Sequence, residues 1–327
     1  MPDRTRAKAL WYVGPGRAEI REEELAPLGP GYIRVRAMHG ALSRGTEALV
    51  LAGRVPESEF ERMRTPFMGG GFPFPVKYGY ATVGRVEAGP HDLAHRIVFA
   101  MHPHQSLFDV PAGAVVPVLE GIPPARATLA ANMETAVNAI WDAAPEPGAR
   151  IAIVGAGVVG ALVAFALRRL APDTEVTLVD VNPSRAKLAQ AFGVHFAAPD
   201  TAPSDCDLVV HASATAAGLA TALNLAADEA TVLELSWYGA GTVPVPLGGA
   251  FHSRRLRLVS SQVGKVAPSH REEYTHRSRL EFALKLTGEP ELEVLMEPAV
   301  AFQELPIRLP GILAPLSGIL CQRIDYP

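Results

Sequence analysis

The sequence predicts an α/β protein in which a β-rich part precedes a doubly wound parallel sheet covered by helices. Up to about residue 120, short apolar runs are separated by Gly and Pro, which is typical of an all-β unit. From residue 123 onward, apolar strand and helix patterns alternate, which is typical of βαβ units. A glycine-rich turn at 155–160 lies between such a strand and such a helix. We therefore expect two domains in this chain of 327 residues.

Composition excludes several functional classes. The net charge of −4 gives no general attraction to nucleic acids or to anionic membranes. The longest apolar helical run, 161–167, is too short to span a bilayer. The two cysteines, Cys206 and Cys321, do not make a disulfide framework. We expect a cytoplasmic protein with a small-molecule substrate and with no nucleic-acid or membrane partner.

The secondary-structure patterns divide at about residue 123. Candidate strands of the β-rich part are 9–13, 31–38, 81–87, 96–100 and 106–110. A long helix is predicted at 125–144 and another at 268–286. The strands predicted between them are 151–154, 175–180, 194–196, 208–211, 232–235 and 256–260. The tail from residue 290 returns to short strands and Pro-containing turns.

The glycine turn has the G-x-G-x-x-G pattern of a dinucleotide site. Its glycines are Gly155, Gly157 and Gly160. In this pattern the first glycine forms the turn, the second lets the backbone approach a pyrophosphate, and the third lets helix and strand pack closely. Val158 and Val159 open the helix, whose N-terminal N–H groups and partial positive charge attract phosphate. The second domain is thus predicted to be a Rossmann domain.

Asp180 indicates which dinucleotide is preferred. It ends the strand after the glycine turn, at the spacing expected for a carboxylate that accepts from ribose hydroxyls. A carboxylate there repels a 2′-phosphate, so NAD(H) is favoured over NADP(H). Arg185 follows closely and could pair with a phosphate, which leaves NADP(H) open.

Further cofactor contacts are expected where other parallel strands end, because ligands bind at the carboxyl ends of such strands. Ser213 follows the fourth predicted strand and is expected near a ribose. Ser236, Trp237 and Tyr238 follow the fifth strand and are expected near the nicotinamide.

Several short motifs resemble the medium-chain dehydrogenase/reductase superfamily, which has the zinc alcohol dehydrogenase fold. They are Gly45-Thr46-Glu47, Gly79-Tyr80, Thr135-Ala136 and the glycine turn. The resemblance implies a GroES-like catalytic domain formed by residues 1–122 and 289–327, with a Rossmann domain at 123–288. It also implies an oxidoreductase, and it places Thr135 at the cofactor.

The zinc ligands of that superfamily are replaced here. Arg44 stands where zinc members have Cys, Tyr80 and Ala81 stand where they have His and Glu, and Ala131 replaces a further Cys. These side chains cannot hold zinc, so we expect no metal. The segments 43–47, 52–56 and 78–84 resemble a zinc-lacking branch that includes bacteriochlorophyllide hydroxyethyl dehydrogenase, without fixing the substrate.

Without zinc, hydrogen-bond or proton donors must stabilise the carbonyl oxygen. Thr46 matches the hydroxyl that touches the substrate in the family, although it could instead cap a helix. Tyr80 is the second candidate, with its pKa lowered by Arg44, although it could simply fill the empty metal site. His104, in the run His102-Pro103-His104, is the third, although a surface loop is the alternative.

The expected substrate is bulky or planar, since aromatic residues cluster in the segments assigned to the site. They are Tyr80, Trp237, Tyr238 and the loop 67–74. The predicted activity is hydride transfer between nicotinamide and an alcohol/carbonyl pair. A quinone or enone reductase and a non-catalytic dinucleotide-binding protein remain alternatives. The apolar strand 256–260 is a candidate sheet edge for a homodimer.

Overall fold

A computed structural model describes residues 5–315 and 317–327, which divide into two compact units. The β-rich unit runs up to Ala131 and includes Leu284–Pro290 and Met296–Pro327. The parallel-sheet unit comprises Asn132–Ala283 and Glu291–Leu295. The predicted fold class, a β-rich part and a doubly wound parallel sheet, is confirmed.

The strands are, in chain order, β1 Arg6–Gly14, β2 Arg17–Glu24, β3 Tyr32–Leu42, β4 Gly69–Gly70, β5 Val76–Lys77, β6 Thr82–Ala88, β7 Ile97–Ala100, β8 Leu107–Pro111, β9 Val115–Pro117, β10 Arg150–Val154, β11 Glu175–Val179, β12 His195–Ala197, β13 Cys206–His211, β14 Ala226–Glu234, β15 Arg257–Ser260, β16 Met296–Ala301 and β17 Cys321–Asp325. The α-helices are α1 Arg44–Leu51, α2 Pro124–Ala127, α3 Ala130–Ala143, α4 Val158–Leu170, α5 Ala186–Phe192, α6 Ala216–Leu225, α7 His276–Leu286 and α8 Leu305–Ile312.

The β-rich unit contains two sheets. One has the order β2-β1-β5-β4, and the other has the order β16-β17-β3-β6-β7-β9 with β8 paired to β3. β17 pairs antiparallel with β3, so the C-terminal segment completes a sheet begun by the first part of the chain. Alternate residues of these strands, such as Val35, Val86 and Phe108, form a fully buried core. The rigid sheet fixes where α1 begins.

The parallel-sheet unit has the strand order β12-β11-β10-β13-β14-β15, with every neighbouring pair parallel. The chain crosses from one half of the sheet to the other between β12 and β13, next to β10. β10 therefore ends at the switch point where such sheets bind ligands. Its residues are almost entirely apolar and buried, as expected for a strand covered on both faces.

The edge strand β15 is unusually apolar for its exposure. All four residues are exposed, and Leu258 and Val259 retain 38% and 43% of their accessible surface. Its neighbour on one side is β14, and it ends the sheet on the other. The expectation of a sheet edge at this strand matches the observed order.

The predicted helix over 125–144 is interrupted. α2 ends at Ala127 and α3 starts at Ala130. The buried Arg126 donates from Nε to the Thr287 carbonyl and from Nη2 to the Gly288 carbonyl, both at 2.7 Å. These bonds attach α2 to the β-rich unit. The boundary between the two units therefore lies at residue 131 rather than at 122.

The predicted helix over 268–286 is also shorter, because α7 begins only at His276. Before it, the His270 ring stacks on Trp141 with centroids 4.3 Å apart, and Tyr274 packs on the same indole. Thr275 and Ser278 then exchange side-chain-to-backbone hydrogen bonds of 2.9 and 3.1 Å, which cap a new helix. Packing of His270 and Tyr274 on the distant Trp141 therefore interrupts the helix predicted over 268–286.

Strand β2 was missed because its sequence, RAEIREEE, lacks a buried apolar face. Its pairing with β1 and several ion pairs hold it in place instead. Among the described residues, none of the helices has the length and apolar character needed to cross a membrane.

Candidate functional site

The three glycines of the turn are required for different reasons. Gly155 has a φ of +107°, and a Cβ there would lie 2.6 Å from the Ser213 backbone nitrogen. A Cβ on Gly160 would lie 1.9 Å from the Gly155 carbonyl oxygen, so a side chain would separate helix from strand. A Cβ on Gly157 would have no neighbouring atom within 4 Å. Gly155 and Gly160 thus serve the fold, whereas the space beside Gly157 is open to a ligand.

The helix that follows the turn begins next to the open space beside Gly157. α4 starts at Val158, with Gly157 in extended conformation as its N-cap. Val158 and Val159 are half-buried, and their backbone N–H groups belong to the first turn, which has no intrahelical acceptors for them. The open N-terminus and the exposed Gly157 therefore fit the phosphates of a dinucleotide.

Asp180 follows β11 and is tied to the glycine turn. One carboxylate oxygen accepts from the Ala156 N–H at 2.7 Å, and the other accepts from the Asn182 N–H at 2.8 Å. Each oxygen keeps a further lone pair for a ligand. Arg185 lies in the next helical turn and is buried, with 8% of its surface exposed.

Thr135 lies on α3 and is half-buried. Its neighbour Glu134 is buried, and Arg279 Nε donates to its carboxylate at 3.0 Å. Burial raises the pKa of Glu134, against the opposing charge of Arg279. Arg279 is itself fully buried and donates to the carbonyls of Val263 and Lys265, so this pair anchors the segment after β15 to α3.

Ser213, Ser236 and Tyr238 gather around a buried imidazole. The His211 ring lies between Ser213 Oγ, 2.7 Å from Nε2, and Glu234 Oε2, 2.7 Å from Nδ1. Tyr238 donates to the same Glu234 oxygen at 3.1 Å, and the Ser236 N–H donates to the other at 2.7 Å. The strand ends thus do bring these predicted residues together within the parallel-sheet unit. Trp237 is half-buried beside them in the chain.

The sequence arguments missed His211 and Glu234 as a pair. Each ends an otherwise apolar strand, and the parallel register of β13 and β14 places the two residues side by side. A titratable residue at the last position of two neighbouring buried strands is a signal that could have identified them.

In the β-rich unit, Thr46 and Tyr80 face each other. The Tyr80 hydroxyl donates to Thr46 Oγ1 at 3.3 Å, and both side chains are half-buried. Thr46 does not cap α1, because the N-cap is Ser43, whose N–H donates to Glu47 at 2.8 Å. The alternative interpretation of Thr46 as a helix cap is therefore wrong.

The pKa of Tyr80 is not lowered as expected. Burial raises it to about 12, and hydrogen bonds with Ser43 and Thr46 offset this only in part. Arg44 acts elsewhere, donating to the carbonyls of Ile312, Ala314 and Ile319 at 2.6–3.0 Å. Tyr80 is consequently a neutral phenol at physiological pH, able to donate a hydrogen bond.

The residues at the family's zinc positions do not fit zinc. The guanidinium of Arg44 is occupied by backbone carbonyls, and Ala81 and Ala131 are buried side chains without a donor atom. Over residues 5–315 and 317–327, no group of three His, Cys, Asp or Glu side chains is arranged to bind a metal.

His104 is fully buried, with Nε2 2.9 Å from Glu47 Oε2, and Tyr12 donates to the same oxygen at 2.6 Å. His102 is buried too, with its ring stacked 3.8 Å from Phe108. The surface-loop interpretation of these histidines is therefore wrong, since both side chains are buried. His104 lies beneath α1, where it supports the helix that carries Thr46.

A row of aromatic rings connects the loop 67–74 with Tyr80. Phe60 packs on Phe72, Phe72 on Tyr78, and Tyr78 edge-on against Tyr80, with centroid distances of 5.7, 5.7 and 6.1 Å. Phe67 stays 40% exposed and stacks on His102. This row places aromatic surface next to the Thr46–Tyr80 pair.

Comparisons with known proteins agree with this fold. No protein-family model matches the chain. Over 82 residues it is 38% identical to alcohol dehydrogenase-like 7 of Arabidopsis thaliana, a match that covers 24% of this chain and 21% of that protein. The matched stretch thus spans about a fifth of that relative's length.

Solved structures are similar over the whole chain. L-idonate 5-dehydrogenase from Escherichia coli superposes with a TM-score of 0.80 at 13% identity, covering 99% of both chains. A dehydrogenase from Sinorhizobium meliloti 1021 bound to NADP has a TM-score of 0.77 at 18% identity, covering 98% of this chain and 100% of that one. A short chain alcohol dehydrogenase from E. coli, complexed with NADH, has a TM-score of 0.76 at 14% identity, covering 98% and 99%.

The protein therefore has the fold of the dinucleotide-binding alcohol dehydrogenases. The sequence motifs that resemble the medium-chain dehydrogenase/reductase superfamily predicted a fold of this kind.

Proposed function

We propose that the protein is a zinc-independent oxidoreductase that transfers hydride between NAD(H) and an alcohol/carbonyl substrate. The observation that supports this proposal is the Tyr80–Thr46 hydroxyl pair, because the motif resemblance assigns Tyr80 to a zinc-ligand position of the family. The open space beside Gly157 supports the binding of a dinucleotide. The bound nicotinamide would supply or accept the hydride.

In this proposal, the β-rich unit handles the substrate oxygen. Tyr80 stays protonated, because burial holds its pKa at about 12, and donates a hydrogen bond to that oxygen or to Thr46. Thr46 Oγ1 accepts a hydrogen bond from Tyr80 and donates its own proton to the oxygen that becomes the alcohol. The Tyr80 proton then moves to Thr46 Oγ1, and solvent reprotonates Tyr80. His104 acts through Glu47 as a positioning residue, since it is fully buried and cannot touch substrate.

The parallel-sheet unit holds the cofactor. The backbone of Gly157, Val158 and Val159 is proposed to bind the pyrophosphate, and Asp180 to accept from ribose hydroxyls. A carboxylate there disfavours a 2′-phosphate, so NAD(H) is the proposed cofactor. Arg185 is proposed to stay in its buried position rather than pair with a phosphate.

The substrate is proposed to be bulky or planar. The aromatic row from Phe60 to Tyr80 and the exposed ring of Phe67 provide stacking surface beside the proposed donor pair. Small alcohols would leave this surface in contact with water.

The experiment is a titration of the purified protein with NADH and NADPH by tryptophan fluorescence, followed by turnover assays on planar ketones, small aldehydes and enones. Tighter NADH binding and ketone reduction are expected. Turnover of enones but not ketones would instead favour the C=C reductase. One tightly held zinc per chain in metal analysis would overturn the zinc-free mechanism.

We also propose a homodimer formed through β15. The exposed edge offers unpaired backbone groups together with Leu258 and Val259. An apolar exposed edge of this kind is stable only when another strand covers it. A second copy provides such a strand in antiparallel pairing about a twofold axis.

A further inference from the structure

A partly buried chain of hydrogen bonds runs through the ends of β13 and β14. His211 is completely buried, and its register partner across the two strands is Glu234. The carboxylate of Glu234 receives bonds from the Ser236 N–H, the Tyr238 hydroxyl and the His211 ring. A half-buried carboxylate with three donors is held in its ionised form, and these hydrogen bonds, acting against desolvation, lower its pKa.

An ionised carboxylate accepts hydrogen bonds and donates none, which fixes the tautomer of His211. In the neutral ring, with Glu234 Oε2 only 2.7 Å away, Nδ1 carries the proton and Nε2 keeps its lone pair. The same logic operates in hydrolase triads, where a carboxylate orients an imidazole that accepts from serine.

The direction of the remaining bonds follows from the tautomer. Because Nε2 accepts, the Ser213 hydroxyl must give it its only proton across 2.7 Å. Thr215 Oγ1, 3.0 Å from Ser213 Oγ, then donates to that oxygen and itself accepts from the Gly218 N–H at 3.0 Å. Ser213 has no proton left for a ligand, so towards a ligand it is an acceptor only.

A glycine within α6 keeps room for this chain. A Cβ on Gly218 would lie 2.0 Å from Ser213 Oγ and 2.9 Å from His211 Nε2. Glycine inside a helix costs about 0.5–1 kcal/mol relative to alanine. The helix tolerates that cost at the one position where a side chain would displace the serine hydroxyl.

Ser213 also adjoins the dinucleotide turn. Its backbone nitrogen lies 2.6 Å from the place where Gly155 would carry a Cβ, and its side chain is half-buried. We infer that His211 and Glu234 are positioning residues that make Ser213 an obligate hydrogen-bond acceptor for a ribose hydroxyl of the dinucleotide. The site then selects a group that donates, and it rejects an acceptor-only group such as a phosphate oxygen. This inference rests on the proposed function only in taking a dinucleotide as the ligand.

The test combines a direct measurement of the tautomer with binding. In protein labelled with ¹⁵N-histidine, the ring signals of His211 are assigned by their loss in His211→Asn. The apo protein should show a proton on Nδ1. Glu234→Gln, whose amide can donate, should move the proton to Nε2, while Glu229→Gln on the same strand should leave it unchanged.

Binding of NADH, measured by calorimetry, should weaken about five- to tenfold in Ser213→Ala, the effect of one lost hydrogen bond. Glu234→Gln should weaken it similarly, because Ser213 must then donate to the ligand. The double variant should bind no more weakly than Ser213→Ala, since Glu234 acts through the serine. Additive losses would point to a merely structural role and overturn the inference.

The outcomes separate this inference from the proposed function. NADH binding with these effects, but with no turnover on any carbonyl, would refute the proposed activity and leave the inference standing. A proton on Nε2 of His211 in the wild-type protein would overturn the inference even with turnover intact. A wild-type protein that does not bind NADH would overturn both.

Discussion

The Tyr80 hydroxyl lies 3.3 Å from Thr46 Oγ1, so two neutral hydroxyl groups lie side by side in the β-rich unit. If they activate the substrate oxygen, Thr46→Ala and Tyr80→Phe should each lower kcat by about 10²–10⁴-fold, as for lost acid–base groups. NADH affinity should stay unchanged, because neither residue belongs to the parallel-sheet unit. Single-turnover kinetics with Tyr32→Phe, an exposed tyrosine, as control measure this. Turnover that survives the double substitution would refute the assignment.

The glycine turn predicts opposite results for two alanine substitutions. Gly157→Ala places its Cβ in open space at an ordinary φ of −73°, so folding should change by less than about 1 kcal/mol. NADH affinity should fall at least tenfold, because the methyl group takes the space of the pyrophosphate. Gly160→Ala should instead destabilise the fold, since its Cβ lies 1.9 Å from a carbonyl oxygen. Thermal unfolding and NADH titration distinguish the two variants. Equal NADH affinity in Gly157→Ala and wild type would contradict a phosphate site beside Gly157.

Asp180 should control the choice between the two dinucleotides. Asp180→Asn removes the negative charge, so the ratio of NADPH to NADH affinity should rise about tenfold or more through lost repulsion. Asp207→Asn is a matched control, because that carboxylate also accepts a backbone N–H at 2.7 Å but lies elsewhere. Fluorescence titration with both dinucleotides gives the ratios. An unchanged ratio in Asp180→Asn would show that specificity arises from another residue.

His102 should make the protein sensitive to acid. Burial lowers the pKa of this stacked ring from 6.5 to about 3. As pH falls from 6.5, the unfolded chain binds a proton that the folded protein does not, so stability present above that pH is lost towards pH 3. The loss attributable to His102 is at most on the order of 5 kcal/mol.

The measurement is urea unfolding at about pH 7 and about pH 4.5. His102→Gln should lose about 2 kcal/mol less than wild type between these conditions. The exposed His91→Gln should behave like wild type. Parallel losses in all three proteins would mean that His102 does not titrate in this way.

The apolar edge of β15 predicts a change of oligomeric state. Val259→Lys should convert a dimer to a monomer, because a buried charge at the strand pairing is costly. Leu247→Lys, at an equally exposed leucine outside the strands, should leave the mass unchanged. Size-exclusion chromatography with light scattering reports this, and a wild-type monomer would remove the basis of the proposal.

Much of the fold follows from local sequence. Periodicity and the glycine turn indicated most strands and the switch point, since apolar alternation and tight turns are local properties. The failures came from distant partners. Packing of Tyr274 on the distant Trp141 interrupts the helix predicted over 268–286. Strand β2 forms because it pairs with β1, although its own sequence pattern does not indicate a strand.

The candidate site shows the same limit. Ser213, Ser236 and Tyr238 were predicted from their place after strands, and they do meet. The pKa of Tyr80 was predicted in the wrong direction, because burial raises it and because Arg44 instead binds carbonyls about 270 residues away in the chain. Sequence position identifies such residues, but their electrostatics depend on contacts that only the folded chain makes.

The three carbonyl contacts of Arg44 also make a zinc ligand at this position costly to introduce. Arg44→Cys would restore one zinc ligand, but it would leave the carbonyls of Ile312, Ala314 and Ile319 without their donor. The segment leading into β17 depends on Arg44 for these three contacts. Under the proposed zinc-free mechanism, a return to cysteine would therefore lower stability before any metal is bound.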